Sequence, residues 1–371
     1  MSKLFEPYDM NGTVLANRIV MAPMTRSRAV TGIPDEHTAL YYEQRATAGL
    51  IISEGVPVSE EGRGYLFTPG IYTDEQAEGW KRVTDAVHVQ GGKIFAQLWH
   101  VGRLSHVSIQ PDEAAPVSSV AQIAEKSMVY AWVEPGTAGP IQASRPRALR
   151  VEEIHRITAD FVRAARRAME AGFDGVELHG ANGYLFEQFL NGALNSRDDE
   201  YGGSIANRRR FLMDTLDAVA HEIGSSRVAV RLSPFGRLYD MKPFADEAET
   251  WLSLAEALNS KDLAYVHLSD QLTIGAESIP DGFAARFRQA YQGTLIAAGG
   301  FDSVTAEAAL DNGDLDLTAF GRPFISNPDL VERMRQNWPI VEPHRESFYG
   351  ANKSLAKGYT DYPFYQEAQP S

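Results

Sequence analysis

Eight short apolar runs, separated by longer amphipathic segments, constrain this chain more than any other feature. They lie at 18–22, 50–56, 93–99, 175–179, 228–232, 265–268, 295–298 and 315–320. Each is rich in Val, Ile, Leu or aromatic residues and short enough for a parallel strand buried on both faces. The intervening segments carry helix signals. Thr73 and Gln76 have the form of a capping box, and Trp80, Val83 and Val87 follow at helical spacing. Between 151 and 171, Ile154, Ile157, Phe161, Ala164 and Ala168 fall on one stripe, and Gly172 supplies a stop. Ser204 can cap a helix that ends at Gly224, and 302–312 forms another that ends at Gly313. Strand and helix alternating eight times predict an α/β fold, a parallel sheet closed into a (β/α)8 TIM barrel.

Such a barrel takes about 250 residues, and the chain has 371. Asn11-Gly12, between short apolar stretches, predicts an N-terminal β-hairpin. Residues 101–150, rich in Pro, Ser and Ala, read as a capping excursion on the third βα loop. The aromatic tail at 346–364 is expected to pack back on the barrel. We therefore read 1–371 as one barrel domain with 101–150 inserted in it. No apolar run approaches the roughly 18 residues needed to span a membrane, and the N-terminus lacks the blocks of a signal peptide. The chain has no cysteine, which excludes disulfides, cysteine-held zinc and iron–sulfur clusters. A cytoplasmic location is the expectation. The formal charge of −14 disfavours loose binding to nucleic acid.

Functional side chains of a barrel sit at the carboxyl ends of its strands. The set found there is polar, glycine-rich and short of carboxylates, which argues against metal-assisted hydrolysis and glycosidase chemistry. Gly299-Gly300 after strand seven and Gly321-Arg322 after strand eight occupy the usual phosphate position of this fold. Glycine lets backbone N–H groups approach a phosphate, and a guanidinium can bind two of its oxygens. Tight turns and a surface ion pair would explain the same residues. His179 and Asn182, three apart after strand four, would aim the same way from one helical turn. Two neutral donors converging there suit a carbonyl or nitro oxygen that gains negative charge, and Tyr184 just beyond can supply a proton. Thr25 and Gln97 are further hydrogen-bonding candidates. Arg231 ends a strand whose other inward groups are read as apolar. His267 has no obvious carboxylate partner in the sequence. Trp99, Tyr65 and Tyr349 either wall an aromatic pocket or are ordinary core residues.

The stretch Val176-Glu177-Leu178-His179-Gly180-Ala181-Asn182-Gly183-Tyr184-Leu185, with Asn195-Ser196-Arg197 and Tyr201-Gly202-Gly203-Ser204 after it, resembles the signature of the old yellow enzyme family. Asn17–Arg26, Gln97-Leu98-Trp99-His100 and Phe320-Gly321-Arg322-Pro323-Phe324 match in the family's order and spacing, so the resemblance covers essentially the whole chain. It implies non-covalent, tightly bound FMN across the barrel mouth. The phosphate would rest on Arg322 and the backbone around Gly299, Gly300, Phe301 and Gly321. Pro23, Met24 and Gly55 would also contact the cofactor. Thr25 would bond flavin O4, Gln97 the pyrimidine edge and Arg231 the N1/O2 side.

The resemblance further implies that NADPH or NADH reduces the flavin and that hydride then passes from N5 to the β-carbon of an activated alkene. His179 and Asn182 would clamp the activating oxygen, Tyr184 would protonate the α-carbon, and Tyr65, Trp99 and Tyr349 would border the substrate. Cyclic enones, maleimides, nitroalkenes and nitrate esters fit such a site, in a monomer or homodimer, with no metal. Thr25 stands where another branch carries cysteine. Residues 239–249, containing MKPFADEAE, depart from the Gly- and Asn-rich loop of many relatives, and Ala351-Asn352 departs slightly. Competing readings are another FMN barrel of hydroxyacid oxidase or dihydroorotate dehydrogenase type, a metal-dependent hydrolase and a non-catalytic flavin binder.

Overall fold

The computed structural model describes residues 2–272, 279–350 and 355–366. The departure at Ala351-Asn352 lies outside them. The chain opens with a two-stranded hairpin, β1 (Tyr8–Met10) and β2 (Thr13–Leu15), as Asn11-Gly12 predicts. Both turn residues take positive φ, 47° and 93°, the backbone that a tight two-residue hairpin requires.

Eight parallel strands then close a barrel. They are β3 (Ile19–Met21), β4 (Leu50–Pro57), β5 (Ile94–Trp99), β10 (Gly175–Gly180), β11 (Val228–Leu232), β12 (Tyr265–Ser269), β13 (Leu295–Ala298) and β14 (Leu317–Phe320). Each falls on one of the eight apolar runs. Four short strands, β6 (Val117–Ser118), β7 (Met128–Glu134), β8 (Thr137–Gln142) and β9 (Arg147–Ala148), lie within the 101–150 excursion. There β7 and β8 form an antiparallel hairpin.

The helices are α1 (Glu36–Glu43), α2 (Asp74–Val89), α3 (Val151–Glu170), α4 (Leu185–Leu190), α5 (Ile205–Ile223), α6 (Glu247–Leu258), α7 (Phe283–Ala290), α8 (Ser303–Asp311), α9 (Arg322–Ser326) and α10 (Leu330–Gln336). The expected caps form: Thr73 and Gln76 exchange both bonds of a capping box on α2, and Ser204 accepts from Asn207 N–H on α5. Gly172, Gly224 and Gly313 follow α3, α5 and α8 with φ of 87°, 89° and 76°. Ile154, Ile157, Phe161, Ala164 and Ala168 of α3 are all buried in the layer between helices and barrel.

Inside the barrel, a second apolar cluster includes Val20, Ile52, Phe95, Tyr265 and Ile296. The N-terminal hairpin closes it from below with Met10 and Leu15, both fully buried. The tail returns to the barrel as expected, and buried arginines hold its backbone carbonyls. Arg26 donates to Ser347, Phe348 and Gly358, while Arg28 donates to Ser347, Leu355 and Lys357. Tyr359 stacks on Tyr41 of α1 with ring centres 4.2 Å apart. Among the described residues, no helix is long and apolar enough to cross a membrane.

Candidate active site

A cavity of about 920 Å³ opens at the carboxyl ends of the strands. Its floor and one flank come from the segments that follow three of the strands, with glycines among them. Pro23, Met24 and Thr25 follow β3, Gly299, Gly300 and Phe301 follow β13, and Gly321 and Arg322 follow β14. Gly300 has φ +85°, a conformation that a side chain would strain. A Cβ on Gly321 would point toward Met24 Sδ at 3.6 Å, where the bare backbone instead faces the cavity.

The opposite flank is made of side chains. Tyr65, Trp99, Asn182, Tyr184 and Arg231 line it, and Tyr349 from the tail stands at the rim, 63% exposed. Trp99 stacks on Tyr65 at 5.6 Å and meets the edge of Tyr184 at 4.9 Å. The β7–β8 hairpin closes over this flank, because Val129 and Ala131 share an apolar cluster with Trp99 and Tyr184.

Three expected residues sit behind the lining rather than in it. His179 is 5% exposed and packs edge-on against Tyr184, ring centres 5.0 Å apart. Gly55, at a bulge in β4, lies under the Trp99 indole; a Cβ there would fall 2.3 Å from a ring carbon. That glycine is required by the tryptophan's approach. Gln97 is buried and donates to Glu177 Oε1 at 2.7 Å.

Two sequence readings are corrected by this geometry. His179 and Asn182 do not share a helical turn: β10 ends at Gly180, Asn182 sits in a turn at φ +58°, and α4 begins only at Leu185. Asparagine tolerates that left-handed backbone better than most non-glycine residues. His267 does have a carboxylate partner, with Nδ1 2.9 Å from Glu177 Oε2 across the barrel. Its partner is 90 positions away, which the sequence could not reveal. The other inward residue of Arg231's strand, Ala229, is apolar as read, while the register neighbours of Arg231 on the adjoining strands are polar, His179 on β10 and His267 on β12. The end of the barrel is therefore a buried polar layer, Gln97, Glu177, His179, Arg231 and His267, beneath the cavity.

The electrostatics of this layer follow from its packing. Burial opposes ionisation of Glu177, yet His267, Arg231 and the Gln97 amide together hold its carboxyl below the ordinary range. Burial, reinforced by Arg231 and His267, holds the His179 imidazole well below its ordinary value, so it is neutral. Burial and the phenols of Tyr239 and Tyr65 push the Tyr184 hydroxyl well above its usual range, so it keeps its proton. The three phenol oxygens lie 3.2–3.5 Å from one another. Tyr239 and the polar residues around Asn182 escaped sequence reasoning. Tyr239 itself belongs to the stretch that departs from the family pattern, the one available signal.

The donor set fits a phosphorylated flavin. Buried polar atoms of Arg231 (Nε), Trp99 (Nε1) and His179 (Nδ1) find no hydrogen-bond partner among the described residues. The glycine cradle leaves backbone facing the cavity beside Arg322. A family model described as the NADH:flavin oxidoreductase / NADH oxidase family matches residues 3–340. The chain belongs to the old yellow enzyme family. It is an FMN-dependent oxidoreductase of that family.

The old yellow enzyme relatives cover it end to end. The 12-oxophytodienoate reductase 1 of Oryza sativa subsp. japonica is 43% identical over 98% of this chain and 93% of its own length. Morphinone reductase, solved in complex with tetrahydroNAD, is 46% identical with a TM-score of 0.94, covering 99% of this chain and 98% of that one. The old yellow enzyme homologue from Zymomonas mobilis is 38% identical with a TM-score of 0.91, covering 98% of this chain and all of the other.

Proposed function

We propose that this enzyme reduces the C=C bond of small α,β-unsaturated carbonyl or nitro compounds, using NADPH or NADH. The observation that carries the reading is a cavity wall bearing the Asn182 amide and a protonated Tyr184, with a neutral His179 packed directly behind it against Tyr184. When bound, FMN supplies the hydride that it has taken from the nicotinamide. Arg322 and the backbone at Gly299, Gly300, Phe301 and Gly321 would hold its phosphate. Thr25, Gln97 and Arg231 would address the flavin ring, with Pro23 and Met24 against it.

His179 and Asn182 donate to the activating oxygen. Neutral donors suit this task because they stabilise charge as it builds without forming a tight ion pair with the ground state. Tyr184 gives its Oη proton to the α-carbon, and general-acid help of this kind is worth about 10²–10⁴-fold. Trp99, Tyr65 and the β7–β8 hairpin exclude water from the reacting end, while Tyr349 stands at the entrance. Cyclic enones, maleimides and nitroalkenes are the substrate classes for this reaction, and nitrate esters, which have no C=C bond, would share only the binding of an acceptor oxygen at this wall. Two relatives named for oxophytodienoate and morphinone, and the nicotinamide analogue in a morphinone reductase structure, support the assignment. We propose a monomer or homodimer working in the cytoplasm.

An anaerobic visible spectrum tests the reading. A flavin band that bleaches with NADPH and returns on adding 2-cyclohexenone establishes both half-reactions. A band that stays bleached after the enone removes the substrate class but leaves the flavin site. Protein that shows no flavin band after incubation with FMN removes the reading as a whole.

A further inference from the structure

An asparagine amide can present either its oxygen or its nitrogen, according to a half-turn about its last bond. The Asn182 amide is fixed by a chain of bonds that begins at groups with no such freedom. The backbone N–H groups of Arg237 and Leu238, which can only donate, both point at Oε1 of Gln271, at 2.8 and 3.2 Å. The other end of that side chain is therefore Nε2. It donates to Oδ1 of Asn182 at 3.2 Å, and Ser269 Oγ approaches the same oxygen at 3.4 Å. The oxygen of Asn182 is thus engaged, and Nδ2 is the end left to the cavity that the residue lines.

Gln271 has little freedom of its own. It is 2% exposed, and Gly236 packs so closely that a Cβ there would stand 2.6 Å from Nε2. The backbone of Asn182 is pinned separately. Its N–H donates to Ser233 Oγ at 2.7 Å, and the Ser233 hydroxyl in turn donates to Glu187 Oε2 at 2.6 Å. Gly183 N–H donates to the same carboxylate oxygen at 2.9 Å.

We propose that Gln271 is a positioning residue that sets the polarity of the substrate site. It carries the donor direction of two backbone N–H groups across to Asn182 and so commits the cavity to ligands that present an acceptor oxygen. The inference rests on the reading of Asn182 as a contact to the substrate's activating oxygen.

The test is Gln271→Glu in the FMN-loaded enzyme at pH 8. The new carboxylate still accepts from Arg237 and Leu238 but cannot donate, so Asn182 turns its Nδ2 inward and faces Oδ1 to the cavity. Two dissociation constants are read from the perturbed flavin spectrum, for 2-cyclohexenone, an acceptor only, and for 2-cyclohexen-1-ol, which brings a donor. The enone is expected to weaken by about ten- to one-hundred-fold, the effect of a lost hydrogen bond with two acceptors left facing. The alcohol is expected to change by less than about threefold, because it can donate to the turned amide.

Equal weakening of both ligands would mean a merely structural role and overturns the proposal, as does no change in either. Gln271→Met, which removes the polarity without reversing it, carries the test if the glutamate variant does not fold. It should weaken the enone more than the alcohol, and equal effects overturn the proposal in that form too. Asn182→Ala separates the two layers of argument. If it leaves enone binding intact, the reading of Asn182 falls and the proposal with it. If it weakens binding while Gln271→Glu does not, the inference about Gln271 alone falls.

Discussion

The two halves of the barrel mouth are built from different materials. On β5, β10, β11 and β12 the inward positions change from apolar to polar two residues further along each strand. Phe95 gives way to Gln97, Gly175 to Glu177 and His179, Ala229 to Arg231, and Tyr265 to His267. On β13 and β14 the inward positions stay apolar, Ile296 then Ala298 and Leu317 then Ala319, as do Val20 of β3 and Ala22 just after it, and the strands run out into Gly299-Gly300, Gly321 and Pro23. One half recognises by directed side-chain bonds, the other by exposed backbone and available space. The side-chain half depends on mutual satisfaction, since a buried charge or donor is tolerated only while its partner remains. The backbone half depends on conformation, because what it offers is N–H groups in a shape that few residues other than glycine adopt. β4 stands between them, with its bulge at Gly55 and a buried carboxylate at Glu54.

Substitutions can break this contrast. The largest effect is expected from Tyr184→Phe. Re-oxidation of reduced enzyme by 2-cyclohexenone should slow by about 10²–10⁴-fold, while reduction by NADPH, followed by stopped-flow absorbance, changes little. Equal slowing of both steps would deny Tyr184 a proton-donor role.

Glu177→Ala should come next. Removing the carboxylate leaves Arg231 without its buried counter-charge and frees Gln97 and His267. The loss is expected to be about 3–5 kcal/mol, measured by urea unfolding. A loss below about 1 kcal/mol, the range of a surface pair, would show that the polar layer is not mutually dependent.

Glu54→Gln tests the boundary strand through pH. Burial, opposed by the bonds and charges of Arg26 and its neighbours, raises the Glu54 carboxyl to about 7. The folded protein therefore holds a proton that the unfolded chain has released between the ordinary carboxylate range and about 7. Stability from this group is present at low pH and is lost as pH rises through that window. The glutamine variant should gain on the wild type from pH 5 to pH 8, by about 3 kcal/mol at most. Parallel thermal-unfolding curves across those pH values would refute the assignment.

Gly300→Ala is the smallest of the four. At φ +85° an alanine costs about 1–2 kcal/mol, and in the backbone half this should appear as weaker FMN retention, measured by fluorescence of released flavin. Unchanged retention would show that the glycine cradle is not the phosphate contact.

The sequence determined what local chemistry can encode. Apolar runs of strand length, the Thr73 and Ser204 caps, the Asn11-Gly12 turn and the glycine stops each report on a few neighbouring residues, and all of them stand in the fold. The backbone half of the mouth was legible for the same reason: Gly299-Gly300 and Gly321-Arg322 advertise their conformation and charge directly. The side-chain half was legible only as a cast of residues. His179, Asn182, Tyr184 and Arg231 could be named, but not the bond from Gln97 to Glu177, the pairing of Glu177 with His267, the approach of Tyr239 or the hold of Gln271 on Asn182. The helical turn expected for His179 and Asn182 failed because spacing alone does not say where a strand ends. The bonds of Glu177 and Gln271 depend on the register with which β5, β10, β11 and β12 close side by side, joining positions 80 to 90 residues apart in sequence. Tyr239 arrives from the loop after β11, 55 residues from Tyr184 and 174 from Tyr65. Hydrogen-bond direction passes from one donor to the next through space, so only the closed barrel decided which end of each side chain faces the cavity.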